Sequence, residues 1–169
     1  GYFDLGGVEI TGIKSYHDSE GGSLRGENVI FKFRMDGLDV CHLGDIGEEC
    51  SADLIEMLLP INILLIPVGG NYTIDAEQAK EYVDRIMPDI VIPMHYKSRH
   101  SVVDVDKAQG FLDLFDEEDV DVCRKDVLEF SREDLADEST KVILMERTKE
   151  KKEKIVKTQE FFIMSFFMG

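Results

Sequence analysis

The sequence predicts an α/β domain, and three features carry the prediction. INILLIPVGG and DIVIPM are continuously apolar, as strands buried on both faces of a sheet are. Between them lies AEQAKEYVDRIM, a helical segment. Upstream, NVIFKFR alternates apolar and polar residues, as a half-buried strand does. Strand, helix and strand in this alternation imply a sheet covered by helices.

Taken in order, residues 8–14 alternate as a strand, and residues 28–34 do so again. Asp36-Gly37 separates the latter from LDVCHLG and is a hairpin-turn signal. Ser51 can cap a helix that runs to about Leu59 and stops at Pro60. The central strand INILLIPVGG follows. Asp75 with Gln78 forms a capping-box start for the next helix, which Pro88 ends. DIVIPM then delivers His95, residues 104–116 suggest a further helix, and residues 141–147 a last strand. The expected division is a domain over 1–147 and a tail over 148–169.

The 169 residues suffice for one domain with a real core. The formal net charge of −16 is uneven: residues 1–146 hold 13 Lys and Arg against 32 Asp and Glu, whereas 147–169 hold 6 against 3. An acidic body repels phosphodiester backbones, which disfavours nucleic acid as a partner, and it favours capture of divalent cations. No apolar run is long enough to span a bilayer, and GYFDLGGVEI lacks the pattern of a signal peptide. The three cysteines form no CxxC pair, so a disulfide framework is not expected and a reducing cytoplasm is. Cys50 precedes a helix start, where a lowered thiol pKa is possible. Neither GGSLRG nor PVGGN is a phosphate-binding loop. Four of the ten phenylalanines crowd into the closing FFIMSFFMG, which is expected to pack on the body or on another subunit.

Three polar residues stand at the ends of apolar strands. His17 follows VEITGIKSY, Asp45 follows DVCHLG, and His95 follows IVIPM. Strand carboxyl ends are where α/β proteins place functional groups. Imidazole and carboxylate together suit zinc, iron or manganese, and three such ligands leave a position open for water. Structural histidines and a turn aspartate remain the alternative on spacing alone.

The ordered set HD…RGxN…HLGD…PVGGxYT…IPMHY resembles the C-terminal portion of the metallo-β-lactamase superfamily. More narrowly, it is similar to Zn-dependent hydrolase-like proteins related to ascorbate-6-phosphate lactonase. The resemblance covers about residues 1–147. It implies part of an αβ/βα sandwich lacking the first strand–helix layer, and one or two Zn2+ ions, with Mn2+ or Fe2+ as substitutes. It further implies that His17 ligates a first metal, Asp45 bridges two, and His95 ligates the second. Asp45 and Arg25 are the expected catalytic residues, with Arg25 holding substrate. His42 and Asn28, with Tyr72 and Thr73 on the loop after the central strand, are expected beside the ligands or the substrate; the alternatives are a core histidine at His42, an ion pair with a nearby acid at Arg25 and a simple turn at residues 71–73. Asn71 belongs to the same loop, while Lys97 and His100 are expected to be solvated. The superfamily's HxHxDH string does not occur here. Together with an opening that lacks methionine, this leads to the expectation of a truncated form.

Two functions follow. One is a metal-dependent hydrolase in which a metal-bound hydroxide attacks a small-molecule ester, lactone, amide or phosphoester. The other is a non-catalytic or complementing module whose vestigial site needs another chain, or a second copy joined through the tail, to complete the fold.

Overall fold

The computed structural model describes residues 1–98, 102–135 and 139–146. The Phe-rich tail and His100 lie outside the described residues. The strands are β1 (Tyr2–Leu5), β2 (Val8–Tyr16), β3 (Glu27–Met35), β4 (Leu38–His42), β5 (Ile63–Pro67), β6 (Ile90–Met94), β7 (Val120–Cys123) and β8 (Lys141–Met145). They form one sheet in the order β1-β2-β3-β4-β5-β6-β8-β7. The first four pair antiparallel, and the rest of the sheet, from β4 through β7, is parallel. Three α-helices are described, α1 (Ala52–Leu58), α2 (Ala76–Ile86) and α3 (Gln109–Leu112), besides short 3-10 turns at Glu117–Asp119 and Arg132–Leu135. The architecture is mixed α/β, as the sequence predicts.

Local chemistry explains each boundary. Asp36 and Gly37 both take positive φ, 49° and 76°, the conformation a two-residue hairpin turn needs. The Ser51 side chain accepts the Leu54 N–H and starts α1. Asp75 and Gln78 form the reciprocal capping box of α2, which closes on Met87 at φ 51° just before Pro88. The helix expected over residues 104–116 is reduced to the four residues of α3. Its first half is spent on tertiary pairing. The Asp106 N–H donates to the Gly69 carbonyl, and the Asp106 carbonyl accepts the Lys97 N–H. Gly110 weakens what remains. The sequence reading also overlooked β1 and β7, two four-residue strands at the sheet edges.

All three helices pack on one face of the sheet. Leu54, Leu58, Tyr82, Ile86 and Phe111 meet Ile30, Cys41, Leu64, Val91 and Val142 there. On the other face Val40, Ile63, Leu65, Ile90, Ile92 and Met94 form a second cluster, touched by Leu128, Phe130 and Leu135. Asn62 ties the starting ends of β4, β5 and β6. Its amide oxygen accepts the Asp39 N–H, its amide nitrogen donates to Asp89, and its carbonyl accepts the Ile90 N–H. Among the described residues no helix is long and apolar enough to cross a membrane.

Candidate metal centre

Strand direction gathers the candidate residues. Because β2 pairs antiparallel with β3 and β3 with β4, β2 runs the same way as β4, β5 and β6. The carboxyl ends of all four therefore share one edge of the sheet. His17 lies one residue past β2, Asp45 three past β4, His95 one past β6, and residues 68–73 follow β5. Hydrogen bonds sew these loops into a rim. Gly47 N–H donates to the Tyr16 carbonyl (2.9 Å), Ile74 N–H to the Ile46 carbonyl (2.9 Å), and Val68 N–H to the Met94 carbonyl (3.1 Å). Gly47 and Gly69 lie so close to the His17 and His95 carbonyls that a Cβ at either would collide with them.

Two atoms on the rim are anomalous. The Nε2 of His17 and the Nδ1 of His95 are buried and, among the described residues, have no hydrogen-bond partner. Buried imidazole nitrogens are ordinarily paired, because leaving one unpaired costs its desolvation. His95 also holds φ 53°, a left-handed conformation uncommon for a residue with a side chain. Nitrogen donors in this state suit a bound metal. Asp45 is exposed, and its N–H donates to the Asn28 Oδ1 (3.0 Å). Among the described residues, however, no three His, Cys, Asp or Glu side chains converge into a ligand group. The rim brings the three residues to one edge without closing them around a point.

The neighbours divide by what they touch. Asn28 donates to the Ser15 Oγ (2.7 Å) and the Leu43 carbonyl (2.8 Å) besides accepting from Asp45. It is thus a bracket for the Asp45 turn. His42 accepts the Gly44 N–H at Nδ1 (3.0 Å), and burial pulls its pKa down while Asp45 opposes the shift. Arg25 reaches across the rim. Its Nη2 donates to the Asn71 carbonyl (3.0 Å), and its guanidinium lies 5.7 Å from the Tyr72 ring centroid. Tyr72 is exposed, whereas Thr73 is buried and bonds the Ile74 carbonyl. Asn71 donates to the Asp104 carbonyl. Lys97, expected in solvent, is half-buried and donates to the Val103 carbonyl (2.7 Å). At Cys50 burial raises the thiol pKa and outweighs the nearby Arg85, in line with a structural cysteine. Cys41 is pushed up to about 12 by burial.

One residue escaped the sequence reading. Asp18, beside His17, is buried, and its carboxylate accepts four main-chain N–H groups, from Glu20, Gly22, Leu24 and Arg25. Burial alone would raise this carboxyl, but the four donors outweigh it and hold the group below the usual carboxylate range. Its signal in the sequence is an aspartate opening a Gly-rich loop, DSEGGSLRG.

A mixed sheet with α-helices on one face, and with imidazoles and a carboxylate gathered at one edge of strand ends, defines an α/β protein whose candidate site lies at the strand carboxyl ends. Residues 1–95 match the family model described as the beta-lactamase superfamily domain, and the chain belongs to that superfamily. It is 34% identical to a Thermotoga maritima protein assigned to the Zn-dependent hydrolases of the metallo-β-lactamase superfamily. That likeness has a TM-score of 0.73 and covers 86% of this chain and 68% of the other. Curated relatives are described as UPF0173 metal-dependent hydrolases. The one from Methanocaldococcus jannaschii is 33% identical over 58% of this chain and 45% of its own length. A second, from Methanosarcina barkeri, is 29% identical over 86% of this chain and 56% of its own length. The chain thus spans about half the length of the curated relatives it matches. The family implies a metal cofactor, and the two orphaned imidazole nitrogens are donors that fit one.

Proposed function

We propose that this chain carries part of the centre of a metal-dependent hydrolase, with His17, Asp45 and His95 as ligands. The observation that supports it best is the pair of buried, unpartnered imidazole nitrogens at the ends of β2 and β6. A bound zinc ion, or manganese or iron(II) in its place, supplies Lewis acidity and acidifies a coordinated water. The chain's own residues do the rest. His17 and His95 would offer imidazole nitrogens to the metal, and Asp45 a carboxylate. Arg25, clipped between the Asn71 carbonyl and the Tyr72 ring, orients a carbonyl or anionic group of substrate at the rim. The substrate class is a small ester, lactone, amide or phosphoester. The resemblance of the sequence motifs to proteins related to ascorbate-6-phosphate lactonase makes lactones the first to assay. The proposed domain spans residues 1–147, the expected tail over 148–169 lies outside the described residues, and a reducing cytoplasm is the proposed location.

Elemental analysis of the purified full chain, with His17→Ala, Asp45→Ala and His95→Ala beside it, tests the ligand set. Bound metal is expected in the parent and lost in each variant, with thermal unfolding little changed. Metal content unchanged in all three variants refutes the ligand assignment.

A second reading is that of a complementing module. It is favoured by the apolar face opposite the α-helices, where, among the described residues, Phe3, Leu5, Val29 and Phe31 stay exposed. In it another chain or a second copy covers that face and completes the centre. Metal that binds only upon association distinguishes it from an autonomous site.

A further inference from the structure

We propose that Asp18 is a positioning residue, whose carboxylate holds both His17 and Arg25 in place at the rim. The inference rests on the metal-centre reading for the purpose of His17, though not for the geometry. Residues 17–26 connect β2 to β3, and the His17 N–H donates to the Gly26 carbonyl (3.1 Å) to close the base of the loop. Inside it, Asp18 Oδ1 accepts the N–H groups of Glu20 (2.9 Å) and Gly22 (2.8 Å), and Oδ2 those of Leu24 (3.1 Å) and Arg25 (2.6 Å).

A carboxylate has about four acceptor positions, and here the main chain takes four bonds from it. That leaves it little capacity for a metal or a substrate, so its part is to hold rather than to ligate. What it holds is specific. His17, with its orphaned Nε2, is the residue before it, and the fourth N–H belongs to Arg25 itself. Arg25 in turn reaches the Asn71 carbonyl across the rim. Gly22 lets the loop close this tightly, since a Cβ there would strike the Tyr16 ring and the Gly26 main chain. One buried charge therefore sets two side chains of different function, a metal ligand and a substrate clip.

Asp18→Asn tests the assignment, because an amide accepts on one side only and turns two of the four N–H groups toward its own NH2. The full-length chain is compared with this variant and with Ser51→Ala, which weakens the α1 cap instead. Two readouts are taken. One is zinc affinity by competition with a chromophoric chelator. The other is the rate at which diethyl pyrocarbonate modifies His17 in metal-free protein, read by peptide mass spectrometry. The expected result for Asp18→Asn is a loss of about tenfold to a hundredfold in zinc affinity, the usual effect of removing a group that orients a ligand. Modification of His17 is expected to quicken severalfold, and Ser51→Ala to shift neither readout. Should Asp18→Asn fail to fold, Asp18→Glu keeps the charge and shows the same shifts at smaller size. A parent protein that binds no zinc at any concentration, yet shows faster His17 modification in the variant, refutes the autonomous metal site and upholds the positioning role. An unchanged His17 modification rate in the Asp18 variants overturns the positioning role, whatever zinc does.

Discussion

At Gly44 a single methyl group would disturb the Asp45 turn in two ways. The residue holds φ 64°, and a Cβ there would overlap the Asn28 amide. That amide cannot swing aside freely, because it bonds Ser15, Leu43 and Asp45 at once. Gly44→Ala is therefore expected to cost about 1–3 kcal/mol in urea unfolding, the range for a residue forced into an unfavourable conformation. It should also weaken metal binding by displacing Asp45. Stability and metal content both equal to the parent's would contradict the bracket. The candidate residues were legible for a simple reason: His17, Asp45 and His95 each interrupt an apolar pattern just where a strand ends, and the surrounding motifs resemble a known family. Asp18 was not legible in the same way. Its role comes from four N–H groups converging in an irregular loop, and no periodicity encodes that.

Where an element has a local cause, the sequence declares it. Ser51 and the Asp75–Gln78 pair start α1 and α2 where their spacing predicts, and Asp36-Gly37 turns β3 into β4. Residues 104–116 mislead because their main-chain groups go to Gly69 and Lys97, partners remote in sequence. The edge of the sheet at β7 and β8 depends on a further non-local pair. Asp119, ending the short turn before β7, lies 2.7 Å from the Lys141 ammonium at the start of β8 and also accepts the Ser139 hydroxyl. Hydrogen bonds from Lys141 and Ser139 hold its carboxyl below the usual range, against the opposing pull of burial. A folded value below the unfolded one means that the stabilisation is complete above the unfolded carboxylate value of about 3.9. It is lost as pH falls through the lower folded value. Asp119→Asn is therefore expected to lower the urea midpoint near neutrality and to flatten its decline below about pH 4. An acid decline as steep as the parent's would show that the pair contributes nothing to it.

On the scale of the whole molecule the two faces of the sheet are unequal, and their inequality has a measurable consequence. Helices cover one face, whereas residues 128–135 cover only the middle of the other. The register carries that second face outward from Ile90 through Ile63, Val40, Phe33 and Ile10 to Phe3 on the edge strand. Phe3 is 62% exposed and Leu5 66%. Among the described residues this apolar face ends in an edge strand with no outer partner, an arrangement that favours association between copies. A net charge of −16 opposes it, since like-charged bodies repel. The two effects respond differently to salt. Screening shortens the reach of the repulsion to about 8 Å at physiological ionic strength and about 3 Å at 1 M, while burial of apolar surface persists. The sedimentation coefficient of the full chain is therefore expected to rise with sodium chloride concentration. Phe3→Glu puts a charge on the edge without disturbing the core, so it should remove most of that rise and leave thermal unfolding nearly unchanged. A coefficient that stays constant with salt in both proteins would mean that this face does not drive association. A rise that Phe3→Glu leaves intact would place the contact elsewhere on the chain.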